Sequence, residues 1–406
     1  MTDTSSTPRV ASTDQLRNWM TASYFAAFVA LGLSVAAFGP ALTELAANVD
    51  ATLTQMGYAM SAGSLGYLLG SILGGWLYDR VRGNPVMATM LVLVAFGLAA
   101  TPLVSVIWLL IGVNFLLGAC QGAVDVGGNT LLVWLHRDKV DPFMNGMHFF
   151  FGLGAFASPI IIAQSISLTG GVRWAYWGLV VLLLPVIAML FALPSPHATG
   201  RDGAQQRETR VVPHRPRLVV LIAIFFFFYV GAEISFGGWI SAYAQATGIG
   251  DAATAAYVAS AFYGALTLGR LLAIPFAARF APRQILIADL SGCMVSVLLL
   301  VLLPGRPAVT WIGAFGVGLS MASIFPTMIS WAERNTRITG AVTSVFFVGS
   351  STGGMIVPWV IGQLFEGVGP QVTTVAIATS VVLAIGAFTM VNLMIQPQSS
   401  DSVSVT

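Results

Sequence analysis

The amino-acid sequence predicts an all-α membrane protein in which twelve transmembrane helices form two pseudo-symmetric six-helix bundles. Hydrophobic residues make up 56% of the 406 residues and charged residues only 8%, which is more apolar surface than a soluble chain of this length buries. Apolar stretches of about 20 residues recur along the chain, each long enough to cross a hydrocarbon core about 30 Å thick as a helix. They lack the alternation of apolar and polar residues that is typical of membrane β-strands. The sequence therefore excludes a soluble globular protein and a β-barrel.

The predicted spans follow one another along the chain with short connections. In order, they cover residues 19–42, 54–77, 86–105, 107–134, 142–166, 173–194, 217–245, 254–277, 284–304, 308–332, 340–365 and 371–395. Residues 1–18 carry no cleavage-site pattern, so we expect them to remain as a disordered cytoplasmic segment. A second disordered tail is expected at residues 396–406.

One long polar stretch, residues 195–216, separates the sixth and seventh spans and is predicted to be a cytoplasmic linker. It divides the chain into an N-terminal bundle at 19–194 and a C-terminal bundle at 217–395. The two bundles repeat weakly, since glycines and a proline of the second half match residues 199 positions earlier. The matched pairs are Gly70 with Gly269, Gly154 with Gly353, and Pro159 with Pro358. A duplicated six-helix unit predicts a transporter whose halves rock about a site near the middle of the membrane.

The basic residues predict the orientation of the chain. If the N-terminus is cytoplasmic, every Lys and Arg falls in a cytoplasmic segment except Arg173, Arg270 and Arg306. Because basic residues accumulate on the cytoplasmic side, both termini are predicted to be cytoplasmic. The net charge is only +2, and the basic residues are spread along the cytoplasmic face, which argues against a nucleic-acid partner. We expect a multi-pass protein of a cell inner (plasma) membrane.

Polar side chains within the fourth span share one helical face. Gln121, Asp125 and Asn129 follow one another at intervals of four residues, and Asn114 lies seven residues before Gln121. Polar groups that face lipid are costly, so this face is expected to line a cavity. Apart from Arg173 at the edge of the sixth span, the first six spans hold no Lys or Arg to pair with Asp125, and Glu233 has no nearby one in its own span. Both carboxylates are therefore predicted to be ion-coupling residues, which take up a proton or a sodium ion.

Residues with amide or aromatic side chains in the fourth, fifth, seventh and eighth spans are candidates for substrate binding. Amides donate and accept hydrogen bonds toward hydroxyl groups, and aromatic rings offer flat apolar faces. His148 is open between a core histidine and a ligand-binding or proton-sensing one. The predicted substrate-binding residues are Gln121, Asn129, Asn145, His148, Tyr229, Trp239 and Tyr263.

A further group of residues is predicted to have gating or structural roles. Gly75, Asp79 and Arg80 lie at the end of the second span, where they are expected to help lock the cytoplasmic side when it closes. Arg270 and Asp289 lie toward the same ends of the eighth and ninth spans. For these two, a structural ion pair is favoured over contact with substrate.

The sequence lacks the motifs that several other function classes require. The sequence contains no GxxxxGK[ST] motif, which disfavours transport driven by ATP. It offers no Ser/His/Asp constellation and no zinc motif, so we expect no enzyme activity, no cofactor and no metal site. Cys120 and Cys293 both lie inside predicted spans, which argues against a structural disulfide.

Two stretches carry a resemblance to a known family. "GGWLYDRVRG" follows the second span, and "GLSMASIFPTMISWAE" lies in the tenth. With the two six-helix halves, they resemble the major facilitator superfamily over the whole chain. Gly75, Asp79 and Arg80 fit the family's usual loop pattern between the second and third helices.

A more specific resemblance is to the branch that holds the fucose permease and the sodium-dependent glucose transporters. It rests on "VDVGGN" in the fourth span, "DKVDPFMNGMHFFFGLGAFASP" across the fifth, and "YVGAEISFGGW" in the seventh. In that branch an acid in the fourth helix and a nearby asparagine take part in sugar recognition and ion coupling. The resemblance implies these roles for Asp125 and Asn129.

The sequence leaves three function hypotheses open. The first is a monomeric secondary active transporter that moves a small polar solute, a sugar, by alternating access coupled to H+ or Na+, with the lipid bilayer as its other partner. The second is a proton-driven exporter of amphipathic drugs or metabolites, with "IAIFFFFYV" of the seventh span along its path. The third, a solute receptor or scaffold with one fixed conformation, is weaker.

Overall fold

The computed structural model describes residues 13–196, 215–336 and 340–395. All regular secondary structure in these residues is helical, and two short 3-10 turns, Thr101–Leu103 and Arg137–Lys139, adjoin longer helices. The α-helices in chain order are α1 (Thr13–Val35), α2 (Leu42–Asn48), α3 (Leu53–Tyr78), α4 (Gly83–Ala100), α5 (Ile107–His136), α6 (Asp141–Thr169), α7 (Arg173–Ala192), α8 (Pro216–Ala246), α9 (Ala252–Arg279), α10 (Pro282–Leu302), α11 (Pro307–Met321), α12 (Ile324–Asn335), α13 (Gly340–Val368) and α14 (Gln371–Ile395).

Eleven helical stretches within the described residues are long and apolar enough to cross a membrane. The predicted count of twelve exceeds this number by one, and the difference is α3. This helix has 26 residues, which is long enough to span, but it is rich in glycine, serine and tyrosine and is therefore less apolar than the others. The structure confirms an all-α protein with many membrane spans.

The first predicted span, 19–42, ends earlier in the structure than predicted. α1 begins at Thr13 and ends at Val35, and the short helix α2 follows. Residues 13–18, predicted to be disordered, are thus helical. The rest of the predicted disordered ends and most of the linker fall in residues 1–12, 197–214 and 396–406, outside the described residues.

The tenth predicted span is divided into two helices. A turn at Ala322 and Ser323 separates α11 from α12. Pro326 follows the turn, and because proline has no N–H it cannot donate the helical hydrogen bond to the Ala322 carbonyl. The second half therefore contains a broken helix, which the apolar pattern alone did not indicate.

Glycines bring helices close together at equal positions of the two halves. A Cβ atom on Gly154 of α6 would overlap the backbone of α1 at Val29, and one on Gly353 of α13 would overlap the backbone of α8 at Phe227. Gly154 and Gly353 are a matched pair of the sequence repeat. The repeat thus corresponds to the same close approach of small residues, which is how membrane helices commonly pack.

The two halves are joined at the end of the molecule opposite the linker, which we call the far end. The linker end is the one where α7 ends and α8 begins. At the far end the Leu53 N–H donates to Oε1 of Glu366 at 2.8 Å, and the Ser61 hydroxyl donates to the Met355 carbonyl at 2.9 Å. On the other side of the molecule, the Ser260 hydroxyl of α9 donates to the Phe156 carbonyl of α6 at 2.9 Å.

A proline strengthens this junction. Pro358 lies inside α13 and has no N–H, which leaves the Gly354 carbonyl without its usual helical donor. The Ser64 hydroxyl of α3 donates to that oxygen at 3.0 Å. A side chain of the first half therefore satisfies a backbone group of the second.

Candidate functional site

A cavity of about 1510 Å³ lies between the two halves and extends to the linker end, where Phe280, Glu333 and Arg334 line it. Its walls come mainly from α1, α3, α5 and α6 of the first half and from α8, α9, α12 and α13 of the second. The predicted site residues that line it are Gln121, Asp125, Asn129, Asn145, His148, Tyr229, Glu233, Tyr263 and Arg270.

Asp125 is held by two neutral side chains on the wall of this cavity. The Tyr67 hydroxyl of α3 donates to Oδ2 at 2.8 Å, and Nδ2 of Asn129 donates to Oδ1 at 3.1 Å. Nδ2 of Asn129 also donates to the Asp125 carbonyl at 2.8 Å. Asp125 forms no ion pair within the part of the chain that the structure describes. Its carboxylate is therefore positioned by hydrogen bonds, and its charge is not neutralised by a protein cation.

Gln121 connects the same helix to α1. Its Nε2 donates to the Ser34 hydroxyl at 3.2 Å, and that hydroxyl donates to the Leu31 carbonyl at 2.9 Å. One turn of helix separates Gln121 from Asp125, so the amide and the carboxylate lie on the same wall. Two residues of α6 complete this side of the cavity, exposed Asn145 and half-buried His148, whose ring meets the edge of Phe28 with centroids 5.7 Å apart.

The second half contributes another carboxylate, Glu233 of α8, which is half-buried on the cavity wall. Tyr229, one turn earlier, is almost fully buried, and its hydroxyl donates to the Met321 carbonyl at 2.8 Å, where α11 ends. Tyr263 of α9 is half-buried and packs edge-on against Phe262 with ring centroids 5.0 Å apart. Of the two predicted tyrosines, Tyr263 keeps more surface toward the cavity.

A duplicated helical fold around one central cavity is shared with known proteins. Residues 24–358 match the sequence model of the Major Facilitator Superfamily. The chain belongs to this family. It is therefore a multi-pass membrane transporter and not an enzyme, as the sequence predicts.

Relatives of this facilitator include sugar transporters. It is 33% identical over 375 residues to sodium-dependent glucose transporter 1A of Mus musculus, covering 84% of this chain and 88% of that protein. It is 31% identical over 373 residues to sodium-dependent glucose transporter 1 of Homo sapiens, covering 84% and 72%. The likeness supports the predicted sugar-transporter branch.

The facilitator also resembles a solved structure. A crystal structure of a variant of the nucleoside transporter NupG superposes with a TM-score of 0.73 at 15% identity, covering 92% of this chain and 99% of that one. At this identity the likeness concerns the fold alone.

One predicted pairing is wrong in the facilitator's second half. Arg270 and Asp289 form no ion pair among the described residues; Asp289 instead accepts a hydrogen bond from Ser323. The physical reason is the direction of each side chain, since Asp289 faces the turn between α11 and α12 while Arg270 lines the cavity. Asp289 therefore supports a helix break, which is a structural role without the predicted partner.

Trp239 is not a substrate-binding residue in this conformation. Its ring is fully buried, Nε1 donates to the Pro358 carbonyl at 3.1 Å, and the ring stacks on Phe365 with centroids 5.3 Å apart. All of these contacts are with α13. Trp239 packs two helices of the second half together and leaves no face for a solute.

The predicted lock at the end of α3 is not engaged. The Arg80 guanidinium lies 4.3 Å from the centre of the Trp76 ring and donates to the Trp76 carbonyl at 3.0 Å, both within its own turn. Asp79 is exposed, and a Cβ on Gly75 would meet only the Val126 side chain of the same half. Because the cavity is open at this end, the role of Gly75, Asp79 and Arg80 in the closed state stays a prediction.

Tyr67 is the site residue that the sequence analysis missed. It lies between Ser64 and Ser71 at intervals of three and four residues, which places all three on one face of α3. All three line the cavity. The spacing rule that identified the polar face of α5 would have identified this one too, had serine and tyrosine been counted with the amides and acids.

Proposed function

We propose that this facilitator moves a sugar across a cell inner membrane by alternating access, coupled to the movement of a cation, Na+ or H+. The proposal rests above all on Asp125, a carboxylate on the cavity wall with neutral donors and no ion pair among the described residues. The names of the relatives, sodium-dependent glucose transporters, support the sugar and favour Na+.

The moving units are the N-terminal bundle, residues 19–194, and the C-terminal bundle, residues 217–395. With both termini in the cytoplasm, the linker end is cytoplasmic, so the described conformation is open to the inside and shut at the far end. Rocking of one bundle against the other would expose the same cavity on the outside. The carrier acts as a monomer, with the solute, the cation and the bilayer as its partners.

Binding of the sugar uses side chains that can both donate and accept hydrogen bonds. Gln121, Asn129 and Asn145 bring amides to the first-half wall, and Tyr263 brings an aromatic ring to the other. Such amides match a solute with several hydroxyl groups. His148, beside Asn145 in sequence and on the cavity wall, is a further donor or acceptor for the same solute.

The cation acts on the carboxylates. A charged group that must pass through a closed, water-poor state carries a desolvation cost of several kcal/mol. A proton or Na+ on Asp125 neutralises the charge and makes that state easier to reach, and Glu233 adds the same sensitivity in the second half. The cation therefore changes the balance between inward-open and outward-open states, which is the requirement for coupling.

The test uses the purified full-length chain in lipid vesicles with an imposed Na+ or proton gradient and labelled glucose. We expect wild type to accumulate glucose and Asp125→Asn to lose accumulation. The asparagine amide is already neutral, so binding of a cation no longer removes a charge at this position. The variant should still exchange glucose across the membrane with no gradient. Asp50→Asn, at an exposed position of the far end, is the matched control and should accumulate glucose normally. Full accumulation in Asp125→Asn would refute the coupling role.

The exporter hypothesis keeps one supporting observation. Ile274, Phe280, Phe325 and Phe347 give the cavity apolar patches toward the linker end, which suit an amphipathic compound. In the same vesicles a proton-driven exporter would transport a lipophilic cation in exchange for protons and would not transport glucose. That outcome would replace sugar uptake as the function.

A further inference from the structure

Arg270 of α9 is a basic side chain on the cavity wall. It is half-buried, and its guanidinium carbon lies 5.8 Å from the centre of the Phe151 ring, which belongs to the first half. Arg270 therefore stands where the two halves face each other across the cavity. Arg334, the other basic residue of the lining, is exposed at the mouth of the cavity.

The guanidinium of Arg270 has no hydrogen-bond acceptor and no ion-pair partner among the described residues. Glu233 of α8 and His148 of α6 are close enough to interact with its charge, yet neither forms a salt bridge with it. The N–H groups of Arg270 are thus available to a ligand in the cavity. An arginine fork matches a carboxylate in shape and charge, since two parallel N–H groups bind its two oxygens.

The opposite wall has a different chemistry. Gln121, Asn129 and Asn145 of the first half offer amides to hydroxyl groups, and Arg270 of the second half offers a cation. We propose that the transported solute is a sugar acid of the uronate class, whose carboxylate binds Arg270 while its hydroxyls bind the amides. This inference rests on the proposed transport function and specifies the substrate class of the same site.

Glu233 gives this arrangement a link to the cation. Its negative charge acts on Arg270 and competes with the carboxylate of the solute for the guanidinium. A cation on Glu233 removes the competitor, so the uronate binds more tightly when the cation is present. Linkage requires the reverse as well, because each ligand must raise the affinity of the other by the same factor.

The experiment measures Kd by calorimetry for two probes, glucuronate and glucose, on the purified full-length chain with and without Na+. We expect wild type in Na+ to bind glucuronate at least tenfold more tightly than glucose. Arg270→Gln should weaken glucuronate binding by at least tenfold, about 1.4 kcal/mol, and change glucose binding by less than about threefold. Arg270→Lys keeps the charge but loses the two parallel N–H groups, so its affinity for glucuronate should lie between those of wild type and Arg270→Gln. Glu233→Gln should bind glucuronate without Na+ as tightly as wild type does with it.

Arg334→Gln is the matched control, because it removes a positive charge from the same cavity at its mouth. It should leave glucuronate binding within about threefold of wild type. An equal loss of glucuronate affinity in Arg334→Gln and Arg270→Gln would overturn the inference, since the overall positive potential of the cavity would then explain the preference for glucuronate. Glucose binding and accumulation with no preference for glucuronate would overturn it as well, and would leave the proposed sugar transport standing. Failure of both probes to bind would reject the sugar site altogether, and the inference with it.

Discussion

The fourth span of the first half and its counterpart in the second half carry out different tasks at the same position of the repeat. α5 runs unbroken from Ile107 to His136, with Asp125 near its middle. Its counterpart is broken into α11 and α12, and the residue 199 positions after Asp125 is Ile324, where α12 begins. The backbone repeat is therefore approximate, and the acid of α5 has no counterpart at the matched position.

The difference lies in what satisfies the polar groups on each side. Around α5, side chains donate to a carboxylate: Tyr67 and Asn129 hold Asp125. Around the break, Tyr229 donates to the Met321 carbonyl and Asp289 accepts from Ser323. The first half keeps a continuous helix that carries a charged group. In the second half Tyr229 satisfies a backbone carbonyl at the interruption, and Asp289 accepts from the Ser323 side chain in the turn.

The largest expected effect tests how rigid the continuous helix is. A Cβ on Gly118 of α5 would overlap the Gly63 carbonyl of α3, and a Cβ on Gly318 of α11 would overlap the Phe262 carbonyl of α9. We expect Gly118→Ala to lose about 3 kcal/mol of stability or to fail to fold, and Gly318→Ala to lose less, because α11 ends three residues later and can shift. Thermal melting in detergent measures both. Gly112→Ala, where a Cβ meets nothing, should be stable or slightly stabilised.

If Gly118→Ala and Gly318→Ala lower the melting temperature equally, the break gives no local freedom. The contrast between a rigid and a flexible counterpart would then be wrong.

The next effect concerns the donor to Asp125. Tyr67→Phe removes a hydrogen bond to a charged group, worth about 1.5–3 kcal/mol, so cation-driven uptake should fall by roughly tenfold or more. Vesicle uptake under a Na+ gradient measures it. Tyr78→Phe is the matched control on the same helix, because the Tyr78 hydroxyl is buried with no hydrogen-bond partner in the described chain. Equal uptake by both variants would show that Tyr67 does not position the coupling group.

A smaller effect is expected at the break. Asp289→Ala leaves the Ser323 hydroxyl without its acceptor and should cost about 1–3 kcal/mol of stability. Asp289→Asn keeps an acceptor oxygen and should melt within about 1 kcal/mol of wild type. In contrast to Asp125→Asn, both variants should keep the Na+ concentration for half-maximal uptake. A change in that concentration would make Asp289 a coupling residue and remove the contrast between the halves.

The smallest effect is expected at Tyr229. Tyr229→Phe removes the donor to the Met321 carbonyl and should cost about 0.5–1.5 kcal/mol, measured by thermal melting. Tyr243→Phe on the same helix is the control, because the Tyr243 hydroxyl is buried without a partner among the described residues. If Tyr229→Phe melts like Tyr243→Phe, the side chain does not support the break.

Much of the site could be predicted from spacing. Four-residue intervals placed Gln121, Asp125 and Asn129 on one wall, because helical geometry alone decides which residues share a face. Spacing does not decide which face a single residue in an apolar helix presents to the cavity. For that reason the sequence predicts Trp239 in the cavity, whereas in the structure it packs on α13.

Other features depended on contacts that the sequence does not show. Depth in the membrane suggested that Arg270 and Asp289 pair, yet two residues at equal depth on neighbouring helices can point to different places. Predicting the break before α12 would have required the combined contacts of Ser323, Pro326 and the side chains around them. Taken as a whole, Pro307–Asn335 is apolar enough to cross a membrane, so its overall hydropathy gave no sign of the break.

Pro358 ties a gap inside one helix to the state of the whole carrier. While the far end is shut, the Ser64 hydroxyl fills the place that a backbone N–H would take at the Gly354 oxygen. Once the halves part there, water must take over. Any other residue at position 358 would satisfy that oxygen within its own helix in every conformation, and the oxygen would then be indifferent to its neighbour. Because of the proline, the Gly354 oxygen has a protein donor only while the far end is closed, so this hydrogen bond stabilises the closed far end.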